Sequence, residues 1–99
     1  MKYTIVIAKS AAKQYEKLEP EMRVSAKHAM IKYLTNVPSR PIKTRIKRLV
    51  GIRKPQYRMR IGDLRIFYDV NKKAKRVEIL GFVPKSLAER WLKKKGVQK

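Results

Sequence analysis

The segment Tyr57–Tyr68 constrains the fold more than any other part of the sequence. Residues that favour β-strands alternate with arginines on both sides of the pair Gly62–Asp63. Glycine at the first of two loop positions suits a type II′ turn, so the pattern predicts a β-hairpin. The register that follows from this loop pairs Ile61 with Leu64, Arg60 with Arg65, Met59 with Ile66, Arg58 with Phe67 and Tyr57 with Tyr68.

This register gives the hairpin one apolar face and one basic face, because successive side chains of a strand point to opposite sides. The apolar face consists of Tyr57, Met59, Ile61, Leu64, Ile66 and Tyr68. The basic face carries Arg58, Arg60 and Arg65, with Phe67 among them. A shift of one residue would bury the arginines, so the register is strongly specified.

Arg60 and Arg65 oppose each other directly in the predicted register. Like charges in such positions destabilise a sheet by up to roughly 1 kcal/mol. Antiparallel sheets often have one solvated face, so three arginines in water are one interpretation. We favour a phosphate-binding surface, since the guanidinium fork binds phosphate oxygens in a bidentate manner.

Composition limits the partners of this chain. Its 99 residues predict one domain with a modest core. With 27 lysines and arginines against 7 acidic residues, the net charge is +20, which favours polyanions and an acidic partner chain. The absence of cysteine excludes disulfides, thiolate metal sites and cysteine nucleophiles. We find neither a secretory leader nor an apolar run of membrane-spanning length, so we expect a cytoplasmic protein without membrane contact.

The remaining elements predict an α+β fold. The strands outside the hairpin are predicted at Tyr3–Ala8, Lys47–Val50 and Arg76–Val83. Ser10 is the predicted N-cap of a short helix, and Pro20 begins a second one. A terminal helix is predicted over Ser86–Lys95, followed by a frayed tail. Together these elements predict a small antiparallel sheet of four to five strands, with an N-terminal helical hairpin and a C-terminal helix packed on one face.

Further basic and aromatic residues extend the candidate site. The basic segment before the hairpin supplies four predicted RNA-binding residues, namely Lys43, Arg45, Lys47 and Arg48. Lys85 follows the last strand, where a solvated loop lysine is the alternative interpretation. Trp91 lies on the terminal helix, either as a core residue or as a stacking surface for a base. His28 is predicted at the surface, and neither metal-ligand spacing nor a cofactor motif is present.

The pattern Tyr-x-x-Arg-x-Gly-Asp-x-Arg-x-x-Tyr at 57–68, together with Ile79–Ser86 and Trp91–Leu92, resembles the RelE/ParE superfamily of type II toxin–antitoxin toxins, in its RelE-like branch. The similarity covers nearly the whole chain and implies a single RelE-like toxin domain over 1–99. It implies a ribosome-dependent mRNA endonuclease, or mRNA interferase, that inhibits translation. Such a hydrolase cleaves by attack of the ribose 2′-hydroxyl on the adjacent phosphate without a metal. The implied partners are the ribosome, mRNA and a cognate acidic antitoxin that wraps the toxin.

The same resemblance assigns residues to the chemistry. Arg58 and Arg60 match two basic residues of one strand, and Arg65 matches the arginine of the next. Lys85 matches the basic residue after the last strand, and Trp91 the aromatic residue that follows. RelE-type sites commonly have lysines, arginine and tyrosine where this chain has Arg58 and Arg60, Lys85 and Trp91.

These differences change the expected roles. Arginine, with a pKa above about 12, is a poor general base, so we expect the arginines to stabilise the charge of the pentavalent phosphate. Lys85 would then be the general acid, and Trp91 would position a base by stacking. Two other functions stay open: a ParE-like inhibitor of DNA gyrase and a non-catalytic RNA-binding protein.

Overall fold

A computed structural model describes residues 2–36 and 38–98, so that Met1, Val37 and Lys99 lie outside the described residues. The elements in chain order are β1 (Thr4–Ile7), α1 (Lys9–Glu16), α2 (Pro20–Leu34), β2 (Ile46–Arg48), β3 (Ile52–Lys54), β4 (Tyr57–Ile61), β5 (Leu64–Asn71), β6 (Arg76–Pro84), α3 (Lys85–Lys95) and β7 (Val97–Gln98). Five strands form one sheet in the order β1-β6-β5-β4-β2, while β3 and β7 pair separately. The predicted α+β class is confirmed. The sheet is antiparallel except where β1 runs parallel to β6.

The central hairpin has the predicted register. Strands β4 and β5 pair Ile61 with Leu64 at the turn and Arg60 with Arg65 next to it, and the remaining pairs follow as predicted. Gly62 has a φ of 56°, as the first loop position of a type II′ turn requires. The hairpin is therefore determined by local sequence: a glycine in the left-handed region and alternating polarity on either side of it.

The helical hairpin α1–α2 covers the apolar face of the sheet. Most side chains of that face are buried with small and aliphatic residues of the helices, including Ala11, Ala26, Met30 and Leu34. Pro20 is the first residue of α2, as predicted. The prediction of Ser10 as the N-cap of α1 is wrong. Ala8 caps the helix, because its N–H still donates to Ile79 of β6 while its carbonyl accepts the first helical hydrogen bond from Ala12.

Helix α3 packs on the opposite face, contrary to the prediction that all helices share one face. Trp91 stacks on Phe67, with ring centroids 4.8 Å apart and planes inclined by 14°. Phe67 alternates along β5 with Ile66 and Tyr68 of the main core, so it points away from α1 and α2. The apolar stripe of α3 could be found in the sequence, but which face of the sheet it covers could not.

The tail beyond α3 also departs from expectation. Val97 and Gln98, which were predicted to fray, pair with β3. Strand β2 begins at Ile46 rather than Lys47, because Ile46 pairs with Met59 and is fully buried. The β3–β7 pair therefore ties the end of α3 to the segment that precedes the central hairpin.

The two edges of the main sheet differ in chemistry. Strand β1 forms one edge and carries no charged residue, and its Val6 and Ile7 are 40% and 37% exposed. Strand β2 forms the other edge and carries exposed Lys47 and Arg48. Charged side chains protect a sheet edge from pairing with other chains, so β2 is protected in a way that β1 is not.

Candidate nucleic-acid interface

Four cations share the face of the sheet opposite the main core. Arg58 and Arg60 lie on β4, and Arg65 lies directly opposite Arg60 on β5. Lys47 of β2 pairs with Arg58, so its side chain lies on the same face, and β4 separates it from Arg65 on β5. We call these four residues, Lys47, Arg58, Arg60 and Arg65, the basic face. The structure thus brings three predicted catalytic residues and one predicted RNA-binding residue together.

Neutral oxygens hold the three guanidinium groups of the basic face. Arg58 Nη2 donates to the carbonyl oxygen of Thr44 at 3.0 Å, and Arg60 Nη2 donates to the Thr44 hydroxyl at 3.1 Å. Arg65 Nη1 donates to the carbonyl oxygens of Gly62 and Leu64 at 2.8 and 3.1 Å. A carbonyl or hydroxyl oxygen orients a guanidinium without cancelling its charge. The arrangement therefore fixes direction and preserves positive potential.

Carboxylates do not neutralise this face. In the part of the chain that the structure describes, the ion pairs are those of Lys54 with Asp69 and Glu78, at 3.9 and 3.8 Å. Both carboxylates lie on strands β5 and β6, at the end of the sheet away from the Gly62–Asp63 turn. Among the described residues, the basic face therefore keeps its positive charge.

Burial and the neighbouring positive charges lower the pKa of both Arg58 and Arg65. Burial lowers the pKa of Arg58 most, and the charges of Arg65 and Arg60 lower it further. Burial and then Arg60 lower the pKa of Arg65, while Asp63 raises it. The Nε atom of Arg58 is also buried without a hydrogen-bond acceptor. An anion at this surface would relieve the repulsion among the arginines.

Lys85 lies at the turn end of the hairpin. It is the first residue of α3, and its backbone N–H donates to the carbonyl of Asp63 at 2.6 Å. This bond extends the β5–β6 ladder just beyond the Leu64–Pro84 pair, next to the position of Arg65 opposite Val83. Its side chain is exposed. Lys85 thus lies at the same end of the sheet as Arg65, and its role as general acid stays a prediction.

Trp91 has a packing role in this structure. It is half-buried against Phe67 and Gly81, and a Cβ atom on Gly81 would come within 2.6 Å of the indole. Phe67 pairs with Arg58, so the aromatic stack borders the basic face. The core interpretation of Trp91 is therefore supported by contacts, and its stacking on an RNA base stays a prediction.

The predicted RNA-binding segment divides into different environments. Lys43 is exposed with a φ of 36°. Arg45 donates from Nη1 to the carbonyl of Arg60 at 3.2 Å and lies 5.3 Å over the Tyr33 ring. Arg48 lies 5.1 Å over Tyr57, on the side opposite to the basic face. Lys47 alone of the four is on the basic face, and RNA binding by the other three stays a prediction.

Sequence reasoning missed Thr44, which contacts both arginines of β4. Its hydroxyl accepts a hydrogen bond from Arg60, sixteen residues away, and a single threonine between cations gives no sequence pattern that would predict this contact.

The predicted surface position of His28 is confirmed. Among the residues described, no group of His, Cys, Asp or Glu has the makings of a metal site, and no helix has the length and apolar character to cross a membrane.

Comparison with solved structures identifies the fold. The RelBE2 toxin–antitoxin complex of Mycobacterium tuberculosis matches with a TM-score of 0.66 and 21% identity, over 85% of this chain and 99% of that one. The archaeal RelE–RelB complex of Pyrococcus horikoshii gives a TM-score of 0.63 and 28% identity, over 86% and 97%. A mutant of the E. coli toxin RelE in the free state gives 0.71 and 20%, over 92% of each chain.

Comparison with sequence families covers most of the chain. A search of the curated proteins found no match. Residues 5–86, however, match the family described as the ParE toxin of type II toxin–antitoxin system, parDE. The resemblance inferred from the hairpin is thereby confirmed at the level of the superfamily. The chain belongs to the ParE/RelE family of toxins of type II toxin–antitoxin systems.

Proposed function

We propose that this toxin is a ribosome-dependent endoribonuclease that cleaves mRNA and thereby inhibits translation. The observation that carries the proposal is the basic face, where Arg58, Arg60 and Arg65 meet without carboxylate partners among the described residues. Such a surface is suited to bind a phosphodiester, and its positive charge complements the negative charge that builds up on the phosphoryl oxygens during cleavage.

The proposed reaction forms a bond from the ribose 2′-oxygen to phosphorus and breaks the bond to the 5′-oxygen of the next nucleotide. The arginines stabilise the added negative charge on the pentavalent phosphate. Lys85 donates a proton to the departing 5′-oxygen. Because the arginines are protonated at neutral pH, the proton of the 2′-hydroxyl leaves to a group outside the basic face. Trp91 limits the mobility of the adjacent nucleotide by stacking, and the ribosome supplies the alignment of the RNA.

We extend the proposal to the partner and the cellular location. Similar toxins were solved in complexes with RelB antitoxins. For this chain we propose a cognate acidic antitoxin, because a protein of net charge +20 gains stability from a partner of opposite charge. The proposed site of action is the cytoplasm, where ribosomes translate mRNA.

The deciding experiment incubates the purified toxin with ribosomes programmed with a defined mRNA and maps the 5′ ends of the products. We expect cleavage in the A site. Arg60→Ala removes an exposed member of the basic face and should reduce the rate about a hundredfold, as loss of one charge-stabilising group does elsewhere. Lys73→Ala, which removes one charge in the turn at the other end of the sheet, is the matched control and should retain the rate.

Arg65→Ala is a second test. Arg65 is only 8% exposed and also donates to the carbonyl of Gly62 in the hairpin turn, so the substitution also affects folding. Its folding must be checked by circular dichroism before its activity is interpreted. Intact mRNA with the wild-type toxin would contradict the proposal. Equal rates for the wild type and a folded Arg65→Ala variant would contradict the role of the basic face.

The matched family is described as the ParE toxin, so the second candidate function is that of a ParE-like inhibitor of DNA gyrase. A supercoiling assay with purified gyrase separates the two functions. Inhibition of supercoiling, together with intact mRNA and a DNA-damage response on expression, would support the gyrase target. RNA binding without cleavage or growth arrest would instead indicate a non-catalytic protein.

A further inference from the structure

A short loop before β2 contacts the two arginines of β4 with a single residue. The Thr44 carbonyl accepts from Arg58 at 3.0 Å, and the Thr44 hydroxyl accepts from Arg60 at 3.1 Å. Thr44 itself is exposed, so the main core does not require its side chain. The two contacts link Thr44 to the proposed chemistry rather than to packing.

The loop that carries Thr44 is held at several points. Ile42 and Ile46 form an antiparallel bridge across it, and the N–H of Arg45 donates to the carbonyl of Ile42 at 2.7 Å. The N–H of Arg60 donates to the carbonyl of Arg45 at 2.7 Å, and Nη1 of Arg45 donates to the carbonyl of Arg60 at 3.2 Å. The hydroxyl of Thr44 is therefore presented from a braced segment that is itself bonded to β4.

Arg60 needs such an anchor because of its surroundings. Its side chain is exposed, and the charges of Arg65 opposite and Arg58 on the same strand repel it. Without a restraint, repulsion and side-chain entropy would move the guanidinium away from its neighbours. The hydroxyl uses one Nη2 hydrogen of Arg60 and adds no charge, so the other donors stay available to a phosphate.

We propose that Thr44 is a positioning residue, whose hydroxyl holds the Arg60 guanidinium beside Arg58 and Arg65 in the geometry that binds a phosphodiester. The effect on RNA cleavage rests on the function proposed above. The effect on Arg60 itself does not, and it can be measured on the free protein.

Two variants isolate the hydroxyl. Thr44→Val keeps the branched shape and the backbone carbonyl but removes the acceptor, whereas Thr44→Ser keeps the acceptor. In single-turnover cleavage on programmed ribosomes we expect Thr44→Val to lower the rate at saturation at least about tenfold, because small errors of position are costly in catalysis. The toxin concentration for half-saturation reports binding to the whole ribosome rather than to one phosphate, so it should change little, and Thr44→Ser should retain most of the rate. Thr35→Val removes a hydroxyl that bonds to Ile31 on α2 and serves as the control with the wild-type rate.

A double mutant shows whether Thr44 acts through Arg60. In an Arg60→Ala background, Thr44→Val should have no further effect on the rate. An unchanged rate for Thr44→Val alone would overturn the proposal. So would equal losses for Thr44→Val and Thr44→Ser, or an undiminished effect of Thr44→Val when Arg60 is absent.

A measurement without ribosomes separates this inference from the nuclease proposal. Side-chain ¹⁵N NMR should show slow rotation of the Arg60 guanidinium in the wild type and Thr44→Ser, and fast averaging in Thr44→Val. Titration with inorganic pyrophosphate should show weaker binding to Thr44→Val. If the wild type does not cleave mRNA but these differences appear, the nuclease proposal fails and the positioning role stands. If Arg60 behaves alike in all three proteins, the positioning role fails whatever the activity.

Discussion

At the scale of single residues, the basic face concentrates positive charge in a way that lowers the folding stability. Arg60 and Arg65 oppose each other in a β-ladder, where like charges are unfavourable, and the pKa of Arg65 is lowered first by burial and then by the charge of Arg60. Neutral oxygens of Thr44, Gly62 and Leu64 hold the groups in place without relieving this repulsion. Sites that bind anions strongly often have this property, because the ligand supplies the missing negative charge.

Replacing Arg60 by glutamine should therefore stabilise the free protein. We expect a gain of about 0.5 kcal/mol, in the lower part of the range for opposed pairs because Arg60 is exposed and screened. This corresponds to a rise of about 2–4 °C in melting temperature for a domain of this size. Thermal unfolding at low salt measures it. The gain should shrink as salt is added, and an equal gain for Lys73→Gln would show that only net charge matters.

Asp69 should give a pH dependence of stability at the other end of the sheet. Its pKa is raised above 3.8, first by burial and then by Glu78, while its hydrogen bond from Gln56 and its ion pair with Lys54 act in the opposite direction. The folded state therefore binds a proton more readily than the unfolded state. This contribution to stability falls as the pH rises from about 3.8 through the raised pKa.

Comparison with Asp69→Asn isolates this contribution. The unfolding free energy of the wild type, relative to that of the variant, should increase as the pH falls from neutral toward 4. Urea unfolding at several pH values measures the difference. A constant difference, or one that decreases on acidification, would contradict the raised pKa.

At the scale of secondary-structure elements, prediction from sequence succeeded where the information was local. The Gly62–Asp63 turn and the alternation on either side fix the hairpin, and Pro20 fixes the start of α2. Ser10 failed as a cap because the ladder between β1 and β6 determines where α1 begins. Lys47 reaches the basic face and Arg48 does not, because the register of β2 depends on Ile46 being buried against β4. Contacts between distant segments, such as those of Thr44, leave no periodic pattern to detect.

The position of α3 depends on the close approach of Trp91 to Gly81. Gly81→Ala would place a Cβ atom 2.6 Å from the indole, so either the ring or the helix must move. We expect a loss of about 1–3 kcal/mol, as is typical of overpacking. Urea denaturation of Gly81→Ala, of Trp91→Ala and of the double mutant tests this. The glycine substitution should cost much less once the indole is absent, and additive losses would contradict the contact.

At the scale of the whole molecule, charge dominates. The sequence carries a net charge of +20, and the ion pairs among the described residues involve only Lys54 with Asp69 and Glu78. A compact body with so much charge of one sign is destabilised by self-repulsion. Ions and polyanions should thus act on the fold as well as on binding.

The melting temperature should rise when NaCl is increased from about 20 mM to about 300 mM, because the Debye length falls below the spacing of many surface charges. A short RNA at low salt should raise it further, and this additional shift should disappear at high salt. Differential scanning fluorimetry with and without RNA measures both effects. A melting temperature that does not change with salt would contradict self-repulsion as a major term.

Because of strand β1, salt should also affect the association between molecules. Its uncharged edge, with Val6 and Ile7 partly exposed, offers backbone groups to any extended chain that comes close. In dilute salt, two copies of such a cationic molecule repel each other before their edges meet. Salt that screens the repulsion within one molecule also screens the repulsion between molecules. Protein purified at high ionic strength should therefore have a higher melting temperature and yet assemble into β-rich aggregates.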